Sequence, residues 1–115
     1  MFVMLLQVAI GGAIGSVLRF LTISLVGAPI ATLIVNALGS FAMGALFVML
    51  PIRLAPLFMT GILGGFTTFS AFSLDALRLY QSGQTAQAAL YIAASVLLSL
   101  LAVAAGAALA QRGLA

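Results

Sequence analysis

The chain has 115 residues, of which 65% are hydrophobic and only 4% charged, and its net charge of +3 comes from four arginines against one aspartate. A soluble fold of that size needs far more charge to cover its surface, so the composition specifies an integral membrane protein. With no cysteine, no histidine and a single acid, disulfides, thiolate chemistry and a side-chain cluster for zinc or paired metals are excluded, and conventional catalysis with them. The isoelectric point near 10.8 reports a scarcity of acids and not a nucleic-acid-binding face.

A hydrocarbon core takes roughly 20 apolar residues to cross as helix, so the length allows four crossings and no soluble domain. The first helix is expected over about 2–26; it has no basic leader before its apolar run and no small-residue cleavage site, so it reads as retained and not as a signal peptide. Turn signals at Gly27-Ala28-Pro29, Pro51 to Pro56 and Gln81 to Gln84 place the others at about 30–50, 56–80 and 85–110. Short loops make successive helices antiparallel, predict that they pack as neighbours, and put both termini on one side.

Arg53 and Arg112 then lie on the terminal side, with Arg19 and Arg78 on or toward the other. A two-against-two balance gives the positive-inside rule almost no grip, as expected of a chain inserted in both orientations and paired as an antiparallel dimer. Small residues four apart, Gly11/Gly15, Gly12/Ser16, Ser40/Gly44 and Gly61/Gly65, allow close helix approach in lipid.

In the second helix Thr32, Asn36 and Ser40 recur every four residues, drifting about 40° per step, and form one polar stripe. Tyr91, Ser95 and Ser99 repeat the device in the fourth. A hydroxyl in lipid can satisfy itself on its own helix, but the Asn36 amide has two donors that its helix cannot absorb.

The third helix carries Gly64-Gly65 and then Phe66-Thr67-Thr68-Phe69-Ser70, weak helix formers beside hydroxyls that compete for backbone groups, and a local break is predicted there. A break at membrane depth is tolerated only where protein or a watery cavity receives the freed groups; exposed carbonyls suit a hard cation, and freed N–H groups suit an anion. Phe69 and Phe72, three apart, share a face if the helix resumes, and the positive edge of a phenyl ring gives an anion a path without a fixed charge. Arg19 is expected to snorkel or to line a vestibule, and Asp75 with Arg78 to form an interfacial ion pair.

The segments GGFTTFSAFSLD from Gly64 to Asp75, LIVNALGSF from Leu33 to Phe41 and GGAIGSVLRF from Gly11 to Phe20 together resemble the Fluc (CrcB) fluoride channels, across all four helices. The resemblance implies a fluoride-selective channel of an inner (plasma) membrane, an all-α antiparallel dual-topology homodimer in lipid with two fluoride pathways. It also implies a structural Na⁺ at the dimer centre, on backbone carbonyls of Gly64 and Thr67 from both copies. By the same motif Asn36, Phe69, Phe72, Tyr91, Ser95 and Ser99 are expected along the fluoride path and Arg19 at its vestibule. Some relatives carry a further hydroxyl a turn beyond Ser99, where this chain has Val103, so the far end of the track departs from the family.

Fluoride holds water tightly, and neutral donors replace that water without trapping the ion as a buried cation would. No Gly-Lys phosphate loop and no mid-membrane proton relay is visible, which points to passive conduction. Two other classes stay open on the residues alone: a small four-helix multidrug or cation exporter, which needs a membrane-embedded carboxylate, and a non-transporting assembly subunit.

Overall fold

The computed structural model describes residues 1–114, and among them there is helix and no strand. Helix α1 spans Phe2–Val26 and α2 spans Ile30–Met49; a 3₁₀ turn at Ile52–Leu54 leads into a π-helical segment, Pro56–Leu63, then α3 (Gly64–Phe66), α4 (Phe69–Gln81) and α5 (Thr85–Leu114). Among the described residues four segments are long and apolar enough to cross a bilayer, with Ile52–Gln81 forming the third. This is a multi-pass membrane protein. Its longest dimension, 47 Å, matches a bilayer of about 40–45 Å with its headgroups.

The turns form where the sequence offers φ > 0 without a Cβ penalty. Gly27 at φ 90° closes α1 by donating to the Ile23 carbonyl at 2.8 Å, and Gly83 at φ 83° donates to Tyr80 at 3.1 Å. The fourth crossing runs four residues beyond the expected 110, to Leu114, because Gln111 and Arg112 are good helix formers and no breaker precedes Gly113.

Two expectations change. Helices adjacent in sequence are not the main neighbours: α1 lies along the π-helical segment and α3, while α2 and the C-terminal part of the third crossing lie on α5. Hydropathy is high in every span, so small residues choose the partners. A Cβ built on Gly61 would sit 2.9 Å from the Gly11 Cα, so these two backbones touch. Gly44 and Gly106 make the equivalent approach between α2 and α5, each against main-chain atoms of the other helix. The second change is the π-helical turn geometry of Pro56–Leu63, where an ordinary α-helix was expected.

The predicted break is present. Thr67 (φ −81°, ψ 155°) and Thr68 (φ −152°, ψ 118°) are extended and separate α3 from α4 in mid-membrane. Fully buried residues are few, with Ala31, Thr32 and Val35 at 0% exposure on α2, so the break is packed against the most enclosed helix of the chain.

Candidate functional site: a clamped helix break beside a polar groove

The extended Thr67-Thr68 pair deprives several backbone groups of their helical partners, and each loss has an identifiable cause. The amide N–H of Thr68, which in an unbroken helix donates to the Gly64 carbonyl, donates instead to Asn36 Oδ1 at 2.7 Å. Asn36 Nδ2 returns the bond to the Thr68 carbonyl at 2.9 Å. Asn36 thus grips Thr68 with both ends of its amide, as a neighbouring strand would, and supplies what α2's own helix could not use.

The Ala71 N–H, the regular donor to the Thr67 carbonyl, bonds the Thr68 hydroxyl at 3.1 Å, making Thr68 the N-cap of α4. The carbonyls of Gly64 and Thr67 are therefore released from helical duty. The neighbouring Gly65 carbonyl is taken by Arg19, whose Nε donates to it at 3.0 Å. Arg19 is half-buried, and this bond gives its guanidinium a membrane-depth acceptor.

On the α5 side of the break lies a groove of about 410 Å³ whose walls include Asn36, Thr68, Phe69, Phe72, Ser95 and Ser99. Five of the six residues expected along the path line this one cavity, all but Tyr91, because the α2 stripe and the α5 stripe face each other across it. The groove continues past Ser40 and Met43 to Val103, so its far end is apolar where a further hydroxyl was absent from the sequence. Phe69 and Phe72 stack in a tilted pair with centroids 5.3 Å apart, but they differ in setting: Phe72 is 8% exposed and Phe69 77%.

Tyr91 sits behind Phe72, ring centroids 5.5 Å apart, and its hydroxyl donates to Asp75 Oδ2 at 3.1 Å. This corrects the expected Asp75–Arg78 ion pair: Asp75 is buried at 6% exposure and its carboxylate turns inward to α5 while Arg78 stays exposed. A carboxylate gains more from a buried hydroxyl donor than from a solvent-screened cation one turn away. Thr32 Oγ1 and Ser95 Oγ, the latter one turn along α5 from Tyr91, are both buried with no hydrogen-bond partner among the described residues.

Gly64 lies outside the groove and is exposed. Sequence reasoning missed Asp75 and Thr32 as members of the inner cluster. The signals were available: Asp75 follows Phe72 by one turn, and Thr32 precedes Asn36 by one.

A family model described as CrcB-like protein, Camphor Resistance (CrcB), matches residues 6–107. The chain belongs to the CrcB family. Among curated relatives, a protein named fluoride-specific ion channel FluC from Cereibacter sphaeroides is 55% identical over 111 residues, covering 89% of this chain and 90% of the relative. Proteins of the same name from Paracoccus denitrificans and Ruegeria sp. are 50% and 47% identical, covering 88% and 92% of this chain and 89% and 93% of their own lengths. The matched range contains Asn36 and Thr67-Thr68.

Proposed function

We propose that this protein is a fluoride-selective channel, carrying fluoride passively down its electrochemical gradient out of the cytoplasm across the plasma membrane of a bacterium. The observation that carries the reading is the groove itself: neutral hydroxyl and amide groups and two phenyl rings line it beside a clamped helix break, and the buried Ser95 hydroxyl on its wall has no hydrogen-bond partner among the described residues. An orphaned hydroxyl at such depth is costly, and a passing anion that accepts from it relieves that cost transiently. Family membership and relatives named for fluoride-specific conduction favour this over an exporter or an assembly subunit. The protein acts as a channel and not as an enzyme.

The path runs along Ser99, Asn36 and the Phe69–Phe72 ring edges to Ser95 and Tyr91, with Arg19 holding the break from the other side. α4 begins at Phe69 with its N-terminus directed at the groove, and the positive end of its dipole favours an anion. A potential negative inside by 100 mV supplies about 2.3 kcal/mol per charge, enough to deplete cytoplasmic fluoride several tens of fold.

The working unit in this reading is an antiparallel homodimer. Support comes from the open wall of the groove, from a phenyl ring at Phe69 left 77% exposed beside polar residues, and from the two-against-two arginine balance. A structural Na⁺ fits the carbonyls of Gly64 and Thr67, both relieved of their regular N–H donors. When bound, Na⁺ supplies a fixed positive charge that ties two copies together at their breaks. Asn36 and the Thr68 cap hold the backbone at Thr68, next to the Thr67 carbonyl, in place.

Fluoride efflux from liposomes holding the purified chain, read by electrode beside a chloride control with a potassium ionophore present, tests the proposal. Rapid fluoride loss with chloride retained is expected; no flux from a folded dimer overturns it.

A further inference from the structure

A second, smaller cavity of about 280 Å³ opens at the membrane boundary, between the α1–α2 turn and the end of α4. It is lined by Ala28, Pro29, Asp75, Arg78, Leu79 and Ser82, on the side opposite the termini. Asp75 is common to this cavity and to the buried Tyr91 contact. Behind Tyr91 stand Phe72 and Ser95, which both line the large groove. Along α5, Ser95 and Tyr91 are one helical turn apart, about 6 Å. The two cavities therefore share one cluster: Phe72 lines the first, Asp75 lines the second, and Tyr91 touches both residues.

Arg78 is the one basic side chain lining the outer cavity, and it is exposed and unpaired with Asp75 despite lying one turn away. The adjoining acid alone would turn anions away from this mouth, and a guanidinium in the same concavity reverses the sign of the field there. We infer that the cavity at Ala28, Pro29 and Ser82 is the second mouth of the anion path, and that Arg78 is the residue that collects the anion at it. The inference rests on the channel reading and adds to it a named mouth and a charge-bearing residue. Arg78 acts on capture and not on passage beyond that cluster: its guanidinium lies in the open cavity, where an anion is still largely hydrated and leaves readily.

The test compares the full-length parent, Arg78→Gln and Arg78→Lys in liposomes, measuring initial fluoride flux against fluoride concentration at low and high ionic strength. Arg78→Gln is expected to lower flux at dilute fluoride by about threefold or more and to converge on the parent at saturating fluoride, since steering changes the capture rate. Arg78→Lys, which keeps the charge, is expected to follow the parent, and added impermeant salt is expected to shrink the gap between parent and Gln variant by screening. A Gln variant whose whole flux–concentration curve superimposes on the parent's overturns the assignment, leaving Arg78 as an anchor for lipid headgroups. A Lys variant as impaired as Gln also overturns it, because the charge is then not the cause. A parent chain that passes no fluoride overturns the channel reading itself, a result distinct from either.

Discussion

The two sides of the Thr67-Thr68 break are built from opposite materials. Before it, the π-helical segment and α3 press glycine against glycine on α1, and the chain ends in carbonyls, one of which holds Arg19. After it, α4 starts with a threonine cap and turns Phe69 and Phe72 toward the groove, with N–H groups leading. One interruption of a helix thus creates a negative end and a positive end a few residues apart, without using a charged side chain for either. The packed side fixes position, and the aromatic side offers surface to an ion.

If the packed side sets the frame, damage there is the most severe. Gly11→Val is expected to destabilise the fold by about 2–3 kcal/mol or more through overpacking against the main chain at Leu57 and Gly61, seen as loss of the folded species in detergent unfolding curves. The aromatic side should lose function and keep structure. Phe69→Ile or Phe72→Ile is expected to cut fluoride flux by about tenfold, the equivalent of the roughly 1.4 kcal/mol that an aromatic edge contributes, while size-exclusion profiles stay unchanged. Unchanged flux in both variants removes the rings from the path.

Asn36 joins the two sides, so its substitution sharpens the contrast. Asn36→Asp keeps an acceptor for the Thr68 N–H but loses the donor to its carbonyl and places an acid beside the groove; it is expected to lower flux severalfold and stability by about 1–3 kcal/mol, the first by efflux and the second by thermal unfolding. The mildest change expected is Arg19→Lys, which retains charge but loses the planar donor aimed at Gly65, at a cost of about 1 kcal/mol in the same unfolding assay. A Lys variant as damaging as Gly11→Val would show the carbonyl side to depend on the guanidinium and not on glycine packing.

The break, the two polar stripes and the facing phenylalanines were legible in the sequence because each departs from what lipid asks of a helix. Gly64-Gly65 with three hydroxyls nearby has no reason to stay helical, and Asn36 has no reason to sit among leucines. The choice of helix partners was not legible: all four spans are uniformly apolar, and the partner is decided by where Gly11 and Gly61, or Gly44 and Gly106, meet in space. The π-helical turn escaped for a related reason, since Pro56–Leu63 has the composition of any membrane helix and its wider winding answers to its contact with α1. Asp75 misled because a basic residue one turn away suggested a local pair, whereas Tyr91 is 16 positions distant in sequence and reachable only once α4 lies on α5.

The clamp also orders events in time. Arg19 and Asn36, the two side chains from other crossings that bind the backbone around the break, both precede that segment in the chain, and α4 at 13 residues reaches only about 20 Å, too short to cross alone. As the polypeptide leaves the ribosome, α1 and α2 are already made when Thr67-Thr68 emerges. The acceptor for the Thr68 N–H and the donors for the Gly65 and Thr68 carbonyls are therefore waiting when this stretch enters the membrane.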